Sequence, residues 1–344
     1  MAGSSTHDAS AAEPVSPARM LGLGDAMSIV VGIVVGTAIF RSAPVVFQNT
    51  AGPWHAMGAW ALGGALSLVG AFCYAELAAA YPRSGGDYHY LTRAFGPWAG
   101  FLFGWAQLTV VFTSNVGAMA FAFGDYGVRL LGLGLEASVW LAAAAVVGMS
   151  LINAWTLAAG RRTQNLLTAA KVLGLAAVAA AGLLAAASLQ AGPALPQSVA
   201  RPPAPVGISF GVAMVFVLYA YGGWNDAAFV AAEVRDPRRN LPAAIIGGVS
   251  LITIIYLAVN GAYLAALGFA GASRSEAPAA DVLTAAIGPV GGRAISALVM
   301  ISALGAINGM ILARSRVFAA LGADHRALRW LGHWQPARGT PPAA

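Results

Sequence analysis

The chain has 344 residues, of which 58% are hydrophobic and 9% charged, and its formal net charge is +6. Soluble domains carry roughly 25% charged residues because they need a wet surface, so this composition excludes one and points to an integral membrane protein. The basic excess does not imply a nucleic-acid partner, because the uneven distribution of arginines between the two sides of the membrane accounts for it. The lone Cys73 excludes an internal disulfide.

Residues 1–19 are polar, small and Pro-containing. They read as a disordered cytoplasmic tail rather than a signal peptide, since no basic stretch leads into a short apolar run with a cleavage site. Eight apolar stretches follow in series: Leu21–Phe47, Trp54–Tyr81, Pro97–Gly127, Ala137–Ala159, Leu166–Leu189, Val206–Ala232, Ala243–Phe269 and Gly292–Leu321. Each is long enough for a membrane crossing, which takes about 20 residues. Backbone groups in hydrocarbon must be satisfied within their own segment, so stretches rich in Ala, Leu, Val and Gly are helices rather than barrel strands. Residues 323–344 form a segment after the last span.

Orientation follows from the arginines. With a cytoplasmic N-terminus, Arg19, Arg83, Arg93, Arg161, Arg162, Arg235, Arg238, Arg239, Arg314, Arg316, Arg326, Arg329 and Arg338 share the inner side. Arg41, Arg129, Arg201, Arg274 and Arg293 fall outside. Both termini are then cytoplasmic.

The first and sixth stretches are interrupted. One reads Gly32-Ile-Val-Val-Gly36-Thr37-Ala38-Ile39-Phe40, the other Tyr219-Ala220-Tyr221-Gly222-Gly223-Trp224-Asn225-Asp226. Glycine lowers the cost of leaving helical geometry, and unwinding at mid-membrane frees amides and carbonyls. An α-amino acid needs donors for its carboxylate and acceptors for its ammonium, and a half-helix N-terminus favours the carboxylate. Close helix packing also explains Gly32 and Gly36, a small-xxx-small pair. It explains the adjacent Gly222-Gly223 less well, and two breaks five helices apart fit an inverted repeat.

Lys171 is the one basic residue well inside a span, and an ionisable group there is a functional candidate by default. The alternative is that it snorkels to the interface from about two turns into its helix. Glu76, in Cys73-Tyr74-Ala75-Glu76-Leu77, is expected to pair with a loop arginine and hold a gate. Asp226 either faces the same cavity as Gly222 or pairs with an arginine at the membrane edge. His7, His55, His89, His325 and His333 lack ligand spacing, so no metal is expected. No nucleophile–base arrangement or phosphate loop is present, so neither enzyme chemistry nor a cofactor is expected.

Five pieces together resemble the amino acid–polyamine–organocation (APC) superfamily, in the branch of L-type amino-acid transporters and their bacterial relatives. They are Val31 to Phe40, Cys73 to Leu77, Pro82-Arg-Ser-Gly-Gly-Asp-Tyr88, Tyr219 to Asn225 with Glu233 and Asn240-Leu-Pro242, and Asn308-Gly309 through Ser315-Arg316. The resemblance implies an all-α fold of five-plus-five inverted repeats, with a first repeat at about 21–189 and a partial second at about 206–322, incomplete after eight helices. It implies substrate contacts from the backbone of Gly36, Thr37, Ala38 and Ile39 and from the carbonyls of Ala220, Tyr221 and Gly222. Tyr219 matches the aromatic that closes over substrate, and Asn225 the polar support of the second break. Lys171 matches the lysine that stands where sodium-coupled relatives bind an ion. Ala38 departs from the family's usual glycine. No cysteine follows the third span, so a disulfide-linked heavy chain is not expected.

The resulting expectation is secondary transport of neutral L-amino acids across a bacterial-type cell membrane, by sodium-independent exchange or proton-coupled uptake. A transport-inactive remnant that still binds amino acids is the alternative, and vesicle flux separates the two. Reporter fusions at residues 162 and 201 should give opposite topology signals; equal signals would overturn the assigned helix order.

Overall fold

The computed structural model describes residues 19–189 and 206–344; the expected N-terminal tail lies outside the described residues, apart from Arg19. The described chain is helical, with two isolated β-bridges and no strand among the described residues. The first expected span is two helices, α1 (Leu23–Val34) and α2 (Ala38–Gln48), bent by 49° at the glycine-bearing break. α3 (Pro53–Ala80) is the second span, and a short α4 (Asp87–Phe95) follows it. The third span runs from Pro97 to Leu131 as α5 (Pro97–Ala106), a π-helical turn at Gln107–Val111 and α6 (Phe112–Leu131). α7 (Ala137–Trp155) and α8 (Leu157–Leu189) are the fourth and fifth.

The sixth expected span becomes α9 (Val206–Tyr221), a break at Gly222-Gly223, and a 3-10 segment at Trp224–Glu233. α10 (Pro237–Arg274), the short α11 (Pro278–Ile287) and α12 (Val290–Asp324) complete the bundle. Among the described residues six helices are long and apolar enough to cross a membrane, and the bent α1–α2 pair makes a seventh. α9, at 16 residues, falls short of that length and is prolonged by the 3-10 segment. With apolar helices in this number, the chain is a multi-pass integral membrane protein.

Two boundaries depart from the sequence expectation, for one reason. α8 begins at Leu157, nine residues before the expected Leu166, and α10 begins at Pro237, six before the expected Ala243, taking in Arg238 and Arg239. Polar residues mark where a helix leaves hydrocarbon, not where it stops, and Arg and Gln are good helix formers. Thr156 by itself separates α7 from α8, and its hydroxyl accepts the Ala159 amide at 3.0 Å.

α12 is the axis of the bundle. Within its most apolar window 72% of residues are buried, against 17% for the Pro97–Leu131 span, whose side chains are left for lipid. Small residues bring the other helices close. A Cβ on Gly64 of α3 would lie 2.5 Å from the Thr253 methyl of α10, and one on Gly63 would lie 2.3 Å from Val217 of α9. Van der Waals packing of this kind drives helix association where no hydrophobic effect operates.

One end of the bundle is pinned by polar contacts. Leu21 and Val234 form a parallel bridge, the Leu21 amide donating to Glu233 O (2.9 Å) and the Arg235 amide to Leu21 O (2.8 Å). This joins the start of α1 to the end of the 3-10 segment. Glu233 takes a bidentate pair from Arg316, at 2.7 and 2.8 Å, with both side chains buried. Asp25 of α1 accepts from Arg161 (3.2 Å) and Asn165 (2.7 Å) of α8. The 323–344 segment folds back onto this end: Leu157 N donates to Arg338 O at 3.0 Å, and Arg316 lies over the Trp334 ring.

Breaking a buried pair by removing one partner costs about 3–5 kcal/mol, whereas replacing both with apolar residues is often neutral. Glu233→Leu should therefore lower the melting temperature in detergent, and Glu233→Leu with Arg316→Met should recover most of the loss. Equal melting of the single variant and the unmodified chain would show that the pair is not structural.

Candidate functional site: a cavity between two helix breaks

The residues between α1 and α2 have left helical geometry, so several carbonyls there lose their helical donors. Three side chains take them. Lys171 of α8 is fully buried, and its Nζ donates to Gly32 O (2.7 Å), Val35 O (2.8 Å) and Ser302 O (3.1 Å). Ser302 of α12 donates from Oγ toward Val35 O and Gly36 O, each at 2.9 Å. Tyr256 Oη of α10 lies 3.1 Å from Val34 O and 3.0 Å from Ala220 O, so one hydroxyl hydrogen is shared between the two breaks.

Lys171 therefore does not snorkel. With α8 starting at Leu157 it sits about four turns into the helix, too far for its stem to reach the interface. Gly305 makes room for it, since a Cβ there would lie 2.8 Å from Nζ. Gln164 and Asn308 fill the next layer: Asn308 Nδ2 donates to Gln164 Oε1 (2.8 Å), and its Oδ1 accepts from Asn153 (2.7 Å).

Between the breaks lies a cavity of about 230 Å³. Gly36, Thr37 and Ala38 line it from the first break, Tyr219, Gly222 and Gly223 from the second, and Asn115, Met119, Ala306, Met310 and Arg314 from α6 and α12. Thr37 and Ala38, at the N-terminus of α2, are on its wall, and a helix N-terminus is the end that attracts a carboxylate. Gly36 is packed under Met119, whose sulfur would lie 3.3 Å from an added Cβ.

The expected site residues divide into two groups. Gly36, Thr37, Ala38, Tyr219 and Gly222 meet around the cavity. Ile39, Ala220 and Tyr221 are buried in the core and do not line it. The Ala220 carbonyl faces Tyr256, and the Tyr221 hydroxyl donates to Trp60 O at 3.1 Å, packed with Trp60 and Tyr256. Tyr219 is 58% exposed and stands at the cavity rim. Asn225 supports the second break by donating to Asp87 Oδ2 of α4 at 3.1 Å. Burial and the nearby Asp226 carboxylate push Asp87 up to about 6.

Two expectations are corrected. Glu76 is exposed on α3 and pairs with no arginine among the described residues, because its face of α3 points away from the bundle. Of the expected pair Gly222-Gly223 at the second break, Gly223 carries the backbone conformation that favours glycine. Gly223 has φ +101°, and an added Cβ would also lie 2.8 Å from the Ile33 side chain. Asp226 is buried and pairs with Arg314 at 2.8 Å, so of its two readings the arginine pair holds. The partner is a residue of α12 that lines the cavity, not one at the membrane edge. Arg314, Asn115, Ser302 and Tyr256 were missed in the sequence because a helical polar residue gives no signal of the face it occupies. Among the described residues no cluster of His, Cys, Asp or Glu could hold a metal ion.

The fold defines a polytopic membrane protein with a cavity between two interrupted helices. The amino acid permease family model matches residues 21–344, and the chain belongs to that family. It is thereby grouped with permeases rather than enzymes. It is similar to the human b(0,+)-type amino acid transporter 1, at 34% identity over 249 residues, covering 71% of this chain and 51% of the relative. It is also similar to the human large neutral amino acids transporter small subunit 2, at 33% identity over 260 residues, covering 72% of this chain and 48% of that protein. The chain thus spans about half the length of these curated relatives.

A Cβ on Gly222 would lie 3.2 Å from Tyr219 O at the cavity wall. Gly222→Val should fold and insert yet lose amino-acid binding by at least about tenfold, since its stiff branched side chain would crowd the cavity wall beside the Tyr219 carbonyl. Unchanged affinity in equilibrium binding would remove Gly222 from the site.

Proposed function

We propose that this chain binds amino acids, neutral L-amino acids above all, and is the site-bearing part of a secondary transporter in the cell membrane. The observation that carries the reading is the cavity itself. It lies between two helix breaks, with Thr37 and Ala38 at the start of α2 on one wall and the unwound Gly222-Gly223 turn on another. A zwitterion's carboxylate would sit at the start of α2 and its ammonium toward the carbonyls around Gly222. Discontinuous helices that meet at the midplane are the usual place for transporter substrates. Tyr219, at the rim, would close over the bound molecule, and the two breaks would belong to inverted repeats that rock about the site.

Lys171 gives the reading its mechanism. Its ammonium donates to the carbonyls of Gly32, Val35 and Ser302, the hard oxygen set that a small cation would otherwise occupy. A resident charge makes an external sodium ion unnecessary, which supports exchange or proton-coupled uptake. The arginine-rich end carrying Arg161, Arg235 and Arg316 would face the cytoplasm, with both termini on that side. One relative is called a small subunit. Cys73, the chain's only cysteine, is exposed on α3 within a span, so any partner subunit here would be held without a disulfide.

Binding and vesicle uptake should be indifferent to replacing sodium with choline, and Lys171→Ala should cut net uptake sharply, by about tenfold or more. Strict sodium dependence of the unmodified protein would defeat the proposal.

A further inference from the structure

The cavity has one charged side chain on its wall among the described residues, Arg314, and the binding chemistry above does not use it. Ala306, Met310 and Arg314 line the cavity at successive i+4 positions of α12. They span about 12 Å along the axis, at 1.5 Å per residue. Side chains on a helix lean toward its N-terminus, so the Arg314 side chain leans back toward Met310 and the cavity.

The guanidinium has five N–H groups in a fixed fork. Nε donates to Asp226 Oδ2 at 2.8 Å, Nη2 to Asp226 Oδ1 at 3.4 Å and Nη1 to the Gln107 side-chain oxygen at 3.1 Å. Two N–H groups are left without a partner among the described residues, on a side chain only 8% exposed. Buried donors of this kind are costly unless something accepts them.

Resting on the transport reading above, we propose that Arg314 is a specificity-determining residue, and that the site prefers amino acids whose side chain ends in a carboxamide, of glutamine length. Asp226 already neutralises the guanidinium. A substrate carboxylate would place a second anion beside Asp226 in a buried site, which like-charge repulsion disfavours. A carboxamide oxygen accepts the spare N–H without adding charge. Gln107 already presents that same group to Nη1. It does so from the first residue of the π-helical turn, a distortion frequent at functional sites. Asn115 on the cavity wall supplies the donor and acceptor that the rest of a carboxamide needs. Methionine matches glutamine in length but leaves the donors unpaired, and polar sites reject such analogues strongly.

The test is competition against labelled glutamine on the purified chain in lipid nanodiscs. Glutamine should displace the label at an at least about tenfold lower concentration than methionine; glutamate should compete less well than glutamine. Methionine or glutamate equal to or better than glutamine would overturn the proposal. In the double variant Asp226→Leu with Arg314→Met, which removes both members of the ion pair, the glutamine-to-methionine preference should collapse to about one. A preference that survives in the folded variant would also overturn it, and the order in the unmodified chain decides the matter if the variant does not fold. Failure of labelled glutamine, methionine and leucine alike to bind would defeat the transport reading itself, whereas binding in the wrong order defeats only the role of Arg314.

Discussion

The arrangement depends on how unwound backbone is tolerated at membrane depth. A break in α1–α2 exposes carbonyls that hydrocarbon cannot solvate, and each unsatisfied group there costs several kcal/mol. Lys171 removes that cost for Gly32 and Val35 while itself being solvated by the oxygens it satisfies. A buried ammonium and a broken helix would each be unstable by itself. Together they supply one another's hydrogen bonds. Ser302 and Tyr256 extend the same exchange to Gly36, Val34 and Ala220, so the two breaks share a common polar support.

That support fixes what remains available for a ligand. Carbonyls held by Lys171, Ser302 and Tyr256 already have their hydrogen bonds, whereas the start of α2 and the turn at Gly222-Gly223 are the backbone segments that line the cavity. This is why Ala220 and Tyr221, adjacent in sequence to the site, serve the core instead. The division also separates rigidity from function. Trp60, Tyr221 and Tyr256 pack in tilted and edge-to-face contacts at centroid distances of 5.1 to 6.2 Å behind the second break, while the rim residue Tyr219 is left exposed.

Much of this was legible in the sequence, and for identifiable reasons. Composition and span length give the all-helical membrane class, and glycines at 32, 36, 222 and 223 locate both breaks. Lys171 stands out because an ammonium among Leu and Ala has no cheap explanation. The losses have a common cause. Helical residues such as Ser302, Tyr256 and Arg314 are ordinary in sequence, and their meaning lies in which neighbour their face meets. Glu76 failed in the opposite sense: its chemistry suggested a pair, but its face of α3 points outward. Arg314 shows the difficulty most plainly. With Arg316 it counts in the sequence only as an inner-side arginine, yet two residues apart on a helix are about 200° apart in azimuth. One arginine turns to Glu233 and the other to the cavity.

The register of α12 ties these functions into one constraint. Ser302, Ala306, Met310 and Arg314 follow one another at four-residue intervals, so a single face runs from the first break to the Asp226 pair over about 18 Å. The adjacent face carries Gly305 and Gly309, where a Cβ would lie 2.8 Å from Lys171 Nζ and 2.7 Å from the Ile33 side chain. Inserting or deleting one residue in this stretch rotates everything beyond it by about 100°. That would drive side chains into the ammonium's niche or turn the guanidinium away from its acid. Close packing against α8 and placement of the cavity's polar wall are therefore two readings of the same helical register. Neither can change without the other.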